Sequence, residues 1–141
     1  MYNQLSPEAL PVHTILIVAT VLHVLPAVAW AGFTFALARM GPANIENLFA
    51  PQMGAGVIAV LAGAGLWSLT HGRAFGAAEM VLAVGALAAI AALVTQAASV
   101  GPAVRKLDDQ PQLRRRVAIG QRIAAGLLGI AIICMASARY V

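Results

Sequence analysis

VHTILIVATVLHVLPAVAWAGFTFALA, residues 12–38, runs for 27 positions without an Asp, Glu, Lys or Arg. As a helix rising about 1.5 Å per residue it is long enough to cross a hydrocarbon core of about 30 Å with some tilt. Arg39, Gly41 and Pro42 end it. Three further apolar runs follow, at about Gln52–Thr70, Gly76–Val100 and Val117–Ala138. Every backbone polar group inside a bilayer needs an internal partner, and no run alternates as a strand would, so each span is expected to be helical. The predicted fold is all-α: one integral membrane domain over residues 1–141, four transmembrane helices in an up-down-up-down bundle.

Composition agrees. Of 141 residues, 61% are hydrophobic and 10% charged, with a mean hydropathy of +0.86, well beyond the apolar share of roughly half in soluble domains. The segment Ala43–Ala50, with Asn44, Glu46 and Asn47, suits an interfacial position, and Pro51 then opens the second span where a missing N–H costs little. Gly54, Gly56, Gly63 and Gly65 let that span approach its neighbours closely. The net charge of +4 points to anionic lipid rather than nucleic acid, because the basic residues flank apolar spans. Arg105, Lys106, Arg114, Arg115 and Arg116 crowd the third connection, so the loop at 101–116 is expected to be cytoplasmic and both termini periplasmic in a bacterial inner membrane. Met1–Pro11 lacks Lys and Arg, and the run after it is too long for a signal-peptide core. The single cysteine, Cys134, excludes an intramolecular disulfide and a cysteine-rich metal cluster.

Polar groups placed within a bilayer tend to mark function. Those here are His23, Trp30, Thr34, Glu79, Thr95, Gln96 and Arg122. His23 lies near mid-membrane, where a neutral imidazole can ligate haem iron or another metal, hydrogen-bond a quinone or relay a proton. Pro26, Ala27, Trp30 and Thr34 follow it on or near one helical face, and Pro26 removes a helical hydrogen bond beside it. Trp30 suits packing or flat contact with a planar ligand. His13 and His71 share the outer level and are candidate metal ligands. Glu79 suits an N-terminal cap. Arg122, beside Gln121, can snorkel to headgroups or hold a haem propionate or lipid phosphate.

The stretch His23-Val24-Leu25-Pro26-Ala27-Val28-Ala29-Trp30-Ala31-Gly32 resembles the first-helix signature of small bacterial membrane proteins of the CopD-like and HemJ-like kind. In those a helical His is followed seven residues later by Trp and then Gly. The arginine-rich approach to the fourth span and the ending Ala138-Arg139-Tyr140 look similar too. These families are bundles of four or more helices linked to b-type haem, copper handling and protoporphyrinogen oxidation. Phe33 stands where CopD-like sequences often carry a second glycine, and no intramembrane lysine matches the one assigned a role in the HemJ-like group. What the resemblance implies is therefore His23 as a haem ligand with Trp30 beside it.

Two functions are expected from this reading. One is an inner-membrane protein binding haem b and working in electron transfer with quinone or a respiratory partner, as a homo-oligomer or within a larger membrane complex. The other is a non-catalytic accessory or assembly subunit. Transport would need a polar path that one deep histidine does not supply. No nucleophile–base pair, phosphate loop or carboxylate pair points to a hydrolase or kinase.

Overall fold

The computed structural model describes residues 9–41, 45–70, 76–103 and 110–141. They form four helices, α1 (Ala9–Met40), α2 (Ile45–Thr70), α3 (Ala77–Val100) and α4 (Pro111–Ser137), followed by a 3-10 turn at Ala138–Tyr140. All four are long and apolar enough to cross a membrane. α1 packs most closely on α2 and α3 on α4, while α4 also lies along α1 and α2 touches α3 more lightly.

The inward residues recur at alternating steps of four and three. His23, Ala27, Trp30, Thr34 and Leu37 line α1, Gly85, Ala89, Ala92 and Gln96 line α3, and Val117, Gln121, Ala124, Leu128 and Ala131 line α4. Such a seam repeats every 3.5 residues and keeps facing its partner when helices wrap gently around one another. Outside it, Ile17, Leu25, Val28, Leu61, Leu87 and Ile133 are exposed, as suits side chains that meet lipid.

Small residues set how closely the helices approach. A Cβ on Gly56 would lie 2.8 Å from Leu93 Cδ1 and 2.9 Å from Trp30 Cε2, so the indole rests on bare α2 backbone. Gly120 leaves the same kind of room for Ser99. Gly41 ends α1 at φ +80°, a conformation L side chains rarely adopt, with its N–H donating to the Leu37 carbonyl.

Two boundaries differ from the sequence reading, for one reason. The segment from Ile45 is not a separate interfacial piece but the first two turns of α2, and Pro51 lies inside the helix. Likewise α4 begins at Pro111, so Arg114, Arg115 and Arg116 stand on its first turns rather than in a loop. In each case apolar anchors draw the polar segment into the bundle. Ile45 is fully buried with Leu37, Val100, Ala103 and Val117, and Leu48, Phe49 and Leu113 pack against them. Removing one helical hydrogen bond at Pro51 costs less than exposing that cluster. His71, Arg73, Arg105 and Lys106 lie outside the described residues.

Replacing Gly56 by Ala drives a methyl group into the Trp30 ring and is expected to cost about 1–3 kcal/mol. A Cβ on Gly32 would meet nothing within 4 Å. Thermal unfolding in detergent should therefore show a lowered midpoint for Gly56→Ala and little change for Gly32→Ala.

Candidate functional site

A second apolar cluster, containing Trp30, Ala59, Ala89, Ala92, Ala124, Leu128 and Ala131, fills the bundle above the Leu37 cluster. Between the two lies a polar layer to which every helix contributes. Thr34, Gln52 and Gln96 are 0% exposed and Gln121 1%, with Trp30 at 2% bordering them. These positions fall six residues from the end of α1, seven from the start of α2, four from the end of α3 and ten from the start of α4. An antiparallel bundle brings those positions to one level.

The direction of every hydrogen bond in the layer follows from one group. The Trp30 indole N–H can only donate, and it lies 2.7 Å from Gln96, which must therefore present its carbonyl oxygen. Gln96 Nε2 is then turned to donate to Thr34 Oγ1 at 2.9 Å and to Gln121 Oε1 at 3.3 Å. That leaves Gln121 Nε2 to donate to Gln52 Oε1, while Gln52 Nε2 donates back to Gln121 Oε1, both at 3.2 Å. Gln52 Nε2 also donates to Thr34 Oγ1 at 2.9 Å, and the Thr34 hydroxyl donates to the Trp30 carbonyl at 2.7 Å. Thr34 thus gives one hydrogen bond and accepts two, the full capacity of a hydroxyl. No enclosed side-chain nitrogen or oxygen among the described residues lacks a partner.

His23 lies eleven residues before Thr34, about 16 Å further along α1, at the half-buried contact between α1 and α2. Its Nδ1 is 2.8 Å from the Ala59 carbonyl oxygen. A carbonyl accepts only, so Nδ1 carries the hydrogen, and in the neutral ring Nε2 keeps its lone pair. The edge of the ring rests on Gly63, where a Cβ would meet Cε1 at 2.8 Å and Nδ1 at 3.0 Å. Nε2 has no hydrogen-bond partner among the described residues, and it is not enclosed, since all enclosed nitrogens there are paired. The side chain is thus locked in one tautomer with its free nitrogen opening at the bundle surface.

The other predicted residues fall apart from His23. Trp30 shares its helix face but belongs to the polar layer, its ring against Gly56 and its N–H on Gln96. Arg122 is exposed on the outward face of α4, next in sequence to Gln121. His13 is exposed near the start of α1, and His71 lies outside the described residues. No group of three or more His, Cys, Asp or Glu able to hold a metal ion occurs among the described residues. Glu79 caps α3, accepting from the Gly76 N–H at 2.9 Å. Thr95 bonds back to the Ala91 carbonyl of its own helix, unlike Gln96. Sequence reading missed two members: Gln52, taken as the edge of a span although its seven-residue spacing from Ile45 was a signal, and Gln121, noted only as the neighbour of Arg122.

Thr34→Val keeps the shape and removes the hydroxyl, leaving donors on Gln52 and Gln96 without one acceptor. It should lower stability by about 1–2 kcal/mol, near the upper end for hydrogen bonds between membrane helices, whereas Thr34→Ser should stay close to wild type. Unfolding in mixed micelles with a denaturing detergent measures the difference. Comparison of the chain with protein-family models, with curated proteins and with solved structures finds no match.

Proposed function

We propose that this chain is a multi-pass protein of a bacterial inner membrane that binds b-type haem through His23 and serves electron transfer with quinone or a respiratory partner. One observation carries the reading: an imidazole deep in an apolar helix, its Nδ1–H held by a backbone carbonyl and its Nε2 lone pair open. Metal-ligating histidines are typically held this way, because the second hydrogen bond fixes the tautomer and makes the free nitrogen more basic. The resemblance of residues 23–32 to haem-linked membrane proteins points the same way. Haem, when bound, supplies one-electron chemistry. The chain's own part is to hold the ring against Gly63 and the Ala59 carbonyl with its free nitrogen at the apolar surface of the bundle. His23 would be this chain's residue holding the group, through its Nε2.

Orientation belongs to the same proposal. Arg39 and Arg114–Arg116 lie at one end of the bundle, and the bias of Lys and Arg to the inside of bacterial membranes puts that end in the cytoplasm.

A second reading, an accessory subunit of a larger membrane complex, is favoured by the polar layer. Its groups are spent on one another, and nothing in it faces a substrate.

The test is a reduced-minus-oxidised visible spectrum with haem extraction on protein purified from haem-replete cells. Wild type should show b-type bands, lost in His23→Ala while the helical circular dichroism is unchanged. Gly63→Ala, which pushes on the imidazole ring, should weaken haem retention, and Gly65→Ala, with open space around it, should not. A folded wild type without haem would overturn the proposal, and a stoichiometric membrane partner that tolerates His23→Ala would favour the accessory reading.

A further inference from the structure

The outward face of α4 changes character along its length. Gln112, Arg115, Arg116, Ile119, Arg122 and Ile123 are all exposed and fall within about a third of a turn-circle of one another at 100° per residue. The opposite face, with Val117, Gly120, Gln121, Ala124 and Leu128, is buried in the bundle. Gln112, Arg115, Arg116 and Ile119 line an open groove of about 410 Å³. None of Arg115, Arg116 and Arg122 forms an ion pair with a described residue.

We infer that this groove binds the headgroup of an anionic phospholipid. The two guanidiniums at its mouth offer forked donors suited to a phosphate. Gln112 adds an amide about one turn nearer the start of α4. Helical side chains lean toward the N-terminus, so Arg122, about 10 Å deeper on the same stripe, reaches back toward the groove while its methylenes stay in the apolar zone. Ile119 and Ile123 continue the stripe where the lipid's chains would run. The order amide, guanidinium, isoleucine along one helix face matches the order headgroup phosphate, then acyl chain, across a leaflet. A soluble phosphate would use only the first half of that order. The inference does not depend on haem.

Native mass spectrometry of the full chain, released from micelles containing equal phosphatidylglycerol and phosphatidylcholine, tests it. Wild type should retain phosphatidylglycerol selectively. Each basic residue near an anionic surface is worth about a fivefold preference, so Arg115→Gln with Arg116→Gln should reduce the selectivity by roughly twenty-fivefold. Arg39→Gln removes an exposed charge at the same end of the bundle, on α1, and should leave it nearly unchanged. An equal loss with Arg39→Gln would show a diffuse surface effect and overturn the inference, as would equal retention of the two lipids. Displacement of the bound lipid by inorganic phosphate alone would assign the groove to a free anion instead.

Discussion

An indole N–H in a bilayer has few options. It cannot accept a hydrogen bond, water is absent, and leaving it open costs far more than in a soluble protein surface. Trp30 resolves this by donating to Gln96, and that single choice propagates through the three amides of Gln96, Gln121 and Gln52 until the Thr34 hydroxyl closes the chain on the Trp30 carbonyl. The vertical register of four helices follows. A slide of one helix by a turn would shift its polar group by about 5.4 Å, beyond hydrogen-bond reach, into one of the flanking apolar clusters.

Apolar packing could not set that register alone. The seam is built largely from Ala and Gly, with Ala59, Ala89, Ala92, Ala124 and Ala131 in one cluster. Small residues permit close approach but resemble one another from turn to turn. A polar group at a seam position distinguishes one alignment from the next, the role best documented for buried amides in coiled coils. The two kinds of contact are complementary: Gly56 makes room for the Trp30 ring, and the ring's N–H then fixes where along α3 it must sit.

The fold was legible because lipid imposes a coarse rule, long uncharged runs separated by short polar connections, and residues 12–38 obey it without exception. The ends of the helices were less so. Pro51 looked like a beginning because a proline is tolerated in a first turn, yet Ile45 carries the inward face two turns beyond it. The polar layer was legible in part. Trp30, Thr34 and Gln96 stood out as uncharged polar groups within spans, and Glu79 as a cap. Their joining with Gln52 and Gln121 depends on helix ends and mutual heights, which no local pattern records. His23 was conspicuous by type and depth, but its bond to the Ala59 carbonyl involves backbone, which a sequence does not display.

The division of the polar layer between the two halves of the chain has a consequence for assembly during synthesis. When α1 and α2 have emerged and the rest has not, Gln52 can already bond to Thr34, but the Trp30 N–H and the Gln52 carbonyl have partners only on α3 and α4. The later pair is in the same position, with Gln96 able to reach Gln121 and each still holding an unmet group. Each half therefore enters the lipid as an incomplete donor–acceptor pattern whose complement is carried by the other. Docking of the halves is the event that removes the last open polar groups from the hydrocarbon, so insertion and recognition are coupled, and a half that fails to find its counterpart is marked by what it leaves unbonded.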